Sequence, residues 1–158
     1  MRTDRTRKIV GVIGVLMTLA FGRAVAQTPP GQPPIGPGGS TYPHASYTVT
    51  TNGTGKLQYW VYQPASPKPA SAPLVVFNHG YGGMDPIYYL AWIEHLVRRG
   101  NVVVYPRYQA NLLTPPSTFT ANAITAAKNA VTWLQASSTR VQPQLTRFAI
   151  AGHSYGGV

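Results

Sequence analysis

Ala149-Ile150-Ala151-Gly152-His153-Ser154-Tyr155-Gly156-Gly157 is the stretch whose reading decides the fold. It reads as a buried strand, a sharp turn carrying one serine, and the start of a helix. Gly152 and Gly156 are small enough to let the backbone turn tightly and lift the Ser154 hydroxyl clear of a sheet. In a chain with 16 glycines the bare Gly-x-Ser-x-Gly pattern is weak. Context strengthens it, because an apolar strand leads into the serine and a helix start follows, as a nucleophile elbow requires. A helix beginning beyond Ser154 also aims amide dipoles at developing negative charge. The plain alternative is a strand-to-helix turn with a capping serine.

A second motif lies upstream. Leu74 to Asn78 (LVVFN) is a short, continuous apolar run, as expected of a strand buried on both faces. It leads into His79-Gly80-Tyr81-Gly82-Gly83. Acyl transfer needs two backbone N–H donors aimed at the tetrahedral oxyanion. The residue after the nucleophile, Tyr155, supplies one; the loop after the third strand supplies the other, assigned to Tyr81. Gly80 and Gly82 let this loop approach a substrate closely. A phosphate cradle is the alternative, but the loop lacks both the Gly-x-Gly-x-x-Gly spacing and a Lys-Ser/Thr ending.

Around these motifs the chain alternates strands and helices. Ala45–Thr51 and Lys56–Gln63 are β-branched and aromatic runs joined by Asn52-Gly53-Thr54-Gly55, a hairpin signal. The proline-studded stretch Pro64–Pro73 is expected as a loop. After the glycine loop, Asp85 caps a helix from Pro86 to Arg99, whose apolar face is Tyr89, Ile93, Leu96 and Val97, and which Gly100 stops. Glu94 and Arg98 are spaced as an ion pair on its outer side. Asn101–Tyr105 is another buried strand, and Ser117–Ala136 a helix with Phe119, Ala123, Ile124, Ala127, Val131 and Leu134 at helical spacing. Arg147–Ala151 is the final strand. The order predicts an α/β fold: a mostly parallel sheet with an antiparallel N-terminal hairpin and helices on both faces. No internal repeat is visible.

Composition narrows the function. Four positive charges in residues 1–8, the apolar run Ile9–Phe21 and Ala24-Val25-Ala26 form a secretory signal peptide over 1–26, cleaved near Ala26. The alternative, a membrane anchor, fails on length: a 13-residue run rises only about 20 Å against a hydrocarbon core of about 30 Å. The expected location is therefore periplasmic or secreted, with no stable membrane anchor. Residues 27–41 hold a Pro/Gly-rich stretch expected as an extended linker, and 42–158 the folded domain. The net charge of +10 falls to +6 once the leader is set aside, with Lys and Arg scattered rather than clustered. That pattern argues against nucleic acid as a partner. There are no cysteines and the four histidines lack ligand spacing, so no metal and no cofactor are expected. Nothing in the sequence indicates an oligomeric state.

His79-Gly80-Tyr81-Gly82-Gly83, Val102-Val103-Val104-Tyr105-Pro106-Arg107 and Val141-Gln142-Pro143 leading into the elbow together resemble the N-terminal half of an α/β-hydrolase. The look is of the dienelactone-hydrolase, chlorophyllase and cutinase-like polyester-hydrolase group, over about residues 42–158. The resemblance implies an esterase acting on a small-molecule or polymeric ester, with Ser154 as nucleophile and the Tyr81 and Tyr155 amides as oxyanion hole. It also implies that Tyr81 lines the acyl pocket. One departure matters: in such enzymes the acid and histidine follow the serine in chain order, and nothing follows Val158. His79 and His153 belong to the two motifs and are structural in the family. His95 beside Glu94 reads as a surface residue, His44 as a linker-edge residue, and Asp85 as a cap. The expectation is an N-terminal fragment, inactive alone, of a secreted serine esterase. A peptidase or perhydrolase on the same fold, or a binding module without catalysis, are the alternatives.

Overall fold

The computed structural model describes residues 30–36 and 38–157. The signal peptide expected over 1–26 lies outside the described residues. Five strands and two α-helices follow in the order β1 (Ser46–Asn52), β2 (Tyr59–Ala65), β3 (Ser71–Asn78), α1 (Leu90–Arg98), β4 (Val102–Pro106), α2 (Phe119–Gln135) and β5 (Gln142–Gly152). They form one sheet with strand order β1-β2-β4-β3-β5. β1 and β2 are an antiparallel hairpin, and β2 also lies antiparallel to β4. β3 is parallel to both β4 and β5, as the alternation of strands and helices requires.

Strand order explains why the helices cover opposite faces. From β3 the chain steps to one neighbour, β4, and from β4 it crosses back over β3 to β5. Right-handed crossovers in opposite directions place α1 and α2 on opposite sides. Alternate residues serve the two layers. Val61, Leu74, Val76, Val102 and Val104 pack under α2, while Tyr62, Val75, Phe77, Val103 and Tyr105 pack under α1. The reversal of direction at β3 also makes a switch point, so the loops leaving β3 and β5 meet at the carboxyl edge of the sheet.

The elements depart from their expected bounds in informative ways. Lys56 and Leu57 belong to a 3-10 turn, Gly55–Leu57, and β2 starts only at Tyr59. β2 and β3 both extend into the proline-studded stretch expected as a loop. The first helix begins as a 3-10 turn, Pro86–Tyr89, capped as expected by Asp85, whose Oδ1 accepts from the Ile87 N–H at 2.9 Å. Gly100, at φ +96°, ends the helix.

Helix α2 is buried along a different line from the one its larger residues suggest. Phe119, Asn122, Ala126, Ala130 and Leu134 face the sheet, whereas Ile124 is half exposed. Small alanines at the contact let the helix lie close against the strands, and that leaves Ile124 beside the seam rather than in it.

The last strand is longer and more exposed than the buried run expected. β5 begins at Gln142, and its register against β3 jumps: Gln144 faces Pro73, but Phe148 faces Leu74. Leu145, Thr146 and Arg147 fill the irregularity between them. Among the described residues β5 is an edge strand, and Phe148 and Ile150 are exposed.

Residues 33–36 and 38–41 turn back on themselves instead of extending as the expected spacer. The Ser40 and Thr41 amides donate to the Pro33 and Pro34 carbonyls at 2.9 Å, closing the segment on itself. Arg99 donates to the Thr41 carbonyl at 2.8 Å and to that of Gly36, and the Arg98 guanidinium lies 4.2 Å from the Tyr42 ring centre. His95, read as a surface residue, is half-buried with its Nδ1 3.1 Å from the Tyr42 hydroxyl. Glu94 likewise faces β1, accepting from the Tyr47 hydroxyl at 2.7 Å. Burial and then this carboxylate push the Tyr47 phenol up to about 12.

Candidate active site

The elbow follows β5 at the carboxyl edge. Ser154 has φ +53°, the left-handed region that an L-residue enters only at a cost, and begins a 3-10 turn through Gly157. The neighbouring glycines are sterically required. A Cβ on Gly156 would stand 2.4 Å from the Asn78 carbonyl oxygen and 2.5 Å from that of His79. The Gly152 backbone is packed equally hard against Gly156 itself. The two glycines therefore let the turn press onto the end of β3, and the His153 N–H donates to the Asn78 carbonyl at 3.2 Å.

The glycine loop after β3 lies against this elbow. A Cβ on Gly80 would be 3.3 Å from Ser154 Cβ and 3.1 Å from both His153 Nδ1 and Tyr89 Oη. Gly82 takes φ +80°, and the Gly83 N–H closes the turn onto the Gly80 carbonyl at 2.9 Å. Tyr81 and Tyr155, both half exposed, flank Phe119, with ring centres 6.3 and 5.3 Å from it. The structure thus brings Ser154, Tyr81, Tyr155 and the four motif glycines into one region. Among the described residues neither Ser154 Oγ nor the Tyr81 amide has a hydrogen-bond partner.

His79, a motif residue, and four residues that sequence reasoning did not assign to the site hold this region together. His79 is fully buried, with Nδ1 and Nε2 each 2.6 Å from a carbonyl, those of Gly80 and Arg107. Burial pulls its imidazole below the ordinary value despite those two carbonyls. The Tyr108 ring stacks on it at 4.0 Å and 5°, and the Tyr108 hydroxyl donates to the His79 carbonyl. Gln109, also fully buried, accepts from the Gly82 N–H through Oε1 at 2.9 Å, leaving Nε2 without a partner. Arg107 braces the segment that carries Tyr108 and Gln109 by donating to Gln58 Oε1, the Gln109 carbonyl and the Ala110 carbonyl. Tyr89, read only as part of an apolar helix face, directs its hydroxyl at both the Gly80 amide and His153. No periodicity marks such residues, because each acts through a group distant in the chain.

An open cavity of about 730 Å³ borders the elbow, lined by Tyr155, Gly156, Phe119, Tyr108 and Ile150 among others. A second, apolar groove of about 560 Å³ runs between α2 and β5 past Ile124, Phe148 and Ile150. The first adjoins the glycine motifs; the second follows from the exposed face of β5. Convergent polar groups, rather than apolar volume, identify the candidate site, so it is placed at the elbow.

Comparison with known proteins agrees with this geometry. A search of curated proteins returns no match. Among solved structures, a mutant of esterase rPPE superposes with a TM-score of 0.51 at 25% identity, covering 71% of this chain and 35% of the esterase. Esterase B from Lactobacillus rhamnosis superposes with a TM-score of 0.52 at 20% identity, over 72% of this chain and 37% of that one. The chain therefore spans about a third of the length of these esterases. The model of the chlorophyllase family matches residues 58–158, from the start of β2 through both glycine motifs. This chain has the N-terminal part of an α/β-hydrolase fold and belongs to the chlorophyllase family.

Proposed function

We propose that the protein is an exported carboxylic-ester hydrolase that works through an acyl-enzyme on Ser154. The observation that carries this reading is the left-handed Ser154, held by Gly152 and Gly156 with the Gly80 loop against it. Ser154 Oγ attacks the ester carbonyl, and the Tyr81 and Tyr155 amides receive the oxyanion. The alkoxide leaves as the alcohol, and water then hydrolyses the acyl-enzyme. The general base is a histidine, oriented by a carboxylate, that lies outside the described residues; His153 Nδ1 is engaged with Tyr89 and His79 is buried. Tyr81, Phe119 and Tyr155 favour an apolar or aromatic acyl group, since they offer ring surface beside the nucleophile. Export rests on the charged, apolar and Ala-x-Ala segments of residues 1–26.

The test is covalent labelling of the full-length protein by a fluorophosphonate, together with hydrolysis of a p-nitrophenyl ester. Ser154→Ala is expected to abolish labelling and to lower turnover by at least about a thousandfold. A full-length protein that resists labelling, or an active Ser154→Ala variant, would sink the reading.

A further inference from the structure

The two glycine motifs lie far apart in the chain, after β3 and after β5, yet one side chain touches both. The Gly80 N–H donates to Tyr89 Oη at 2.9 Å, and Tyr89 Oη lies 3.0 Å from His153 Nδ1, next to Ser154. A phenol can donate one hydrogen bond and accept others, so a single hydroxyl can serve two partners. The oxygen receives the Gly80 amide and stands within hydrogen-bond distance of His153 Nδ1. One phenol therefore bridges the Gly80 amide and His153. The Tyr89 ring is itself held from below, 5.2 Å from Phe77 and 6.2 Å from Tyr105, centre to centre.

Gln109 completes the arrangement from the other side. Its Oε1 takes the Gly82 N–H, so the amides on either side of Tyr81 are both occupied. The Tyr81 amide between them is left free to meet an incoming group.

We propose that Tyr89 is a positioning residue that locks the loop carrying the Tyr81 amide to the turn carrying Ser154. The inference rests on the ester-hydrolase reading above. Without the Tyr89 hydroxyl, the Gly80 amide and His153 lose their common partner, and the Tyr81 amide loses its alignment with Ser154 Oγ. Such a defect impairs the transition state more than substrate binding, because the oxyanion forms only after attack.

Tyr89→Phe in the full-length protein keeps the ring packing and removes only the bridge. Its expected effects are a roughly tenfold fall in kcat with KM changed less than twofold, and fluorophosphonate labelling of Ser154 slowed in step. The thermal midpoint should stay within a few degrees of wild type. His153→Leu should fall about as far, and the double variant no further, because both remove one link. His153→Asn, whose amide can donate to or accept from the Tyr89 hydroxyl, should recover most of that loss. Nitrogen-15 NMR of His153 gives a readout independent of turnover: the Nδ1 resonance should move in Tyr89→Phe, which removes the hydroxyl 3.0 Å from it. A Tyr89→Phe variant with wild-type labelling rate, or with an unmoved His153 Nδ1 resonance, would overturn the inference while leaving Ser154 as nucleophile. Failure of the wild type itself to label sinks the ester-hydrolase reading and this inference together.

Discussion

Gly152 lies so close beneath the Gly156 carbonyl that a Cβ on it would stand 2.1 Å from that oxygen. No side-chain motion relieves such a contact, because both partners are backbone. Gly152→Ala is therefore expected to destabilise the protein by about 3 kcal/mol in urea denaturation. Labelling of Ser154 should be lost in any fraction that still folds. An alanine variant of wild-type stability would show that the turn is looser than described.

Gln109 separates stability from function. Replacing it by Leu leaves the Gly82 N–H unpaired, a loss of about 1–3 kcal/mol, but also removes the partnerless buried Nε2, which carries a similar penalty. The two effects offset, so net stability should change by less than about 1 kcal/mol. The labelling rate of Ser154 should still fall severalfold as the loop loosens. Equal losses in stability and labelling would contradict this.

His79 gives the fold an acid sensitivity. Burial holds its imidazole below the ordinary 6.5, so the folded chain resists a proton that the unfolded chain accepts. Its contribution is complete above about pH 6.5 and is lost as pH falls from there through the lower folded value. Stability measured from pH 7.5 to 5 should therefore decline by at most about 1.4 kcal/mol per pH unit from this group. His79→Gln should be less stable at pH 7.5 and show a flatter profile; an identical slope would assign the sensitivity elsewhere.

Ala130 tests the packing of α2. It is fully buried against the sheet together with Ala126 and Leu134. Ala130→Leu is expected to cost about 1–3 kcal/mol by overpacking, seen as a lower denaturation midpoint. A neutral result would mean that the helix stands further from the sheet.

Much of this was legible in the chain, and for identifiable reasons. The runs Leu74–Phe77 and Val102–Tyr105 are apolar throughout because β3 and β4 are covered on both faces. The elbow stands out because backbone contacts at Gly152 and Gly156 admit only glycine, and the loop at His79–Gly83 because Gly82 takes φ +80° and Gly80 packs closely against the elbow, so the constraint is written at single positions. The first half of β5 was missed because Gln142, Pro143 and Gln144 show no strand periodicity and the register breaks beyond them. Ile124 was misplaced because its side chain suggested a core position that Ala126 and Ala130 occupy.

Strand-and-helix alternation, the two glycine motifs and the Asp85 cap are properties of residues close in sequence, where steric limits and periodicity act. The links between Tyr89 and His153, Gln109 and Gly82, and Tyr108 and His79 join groups 64, 27 and 29 residues apart. Those distances in the chain are closed by the crossovers at β3. Ser154 is a glycine-framed turn in the primary structure, and the packing of three loops at one sheet edge sets what faces it, because hydrogen bonds form where folding places their partners.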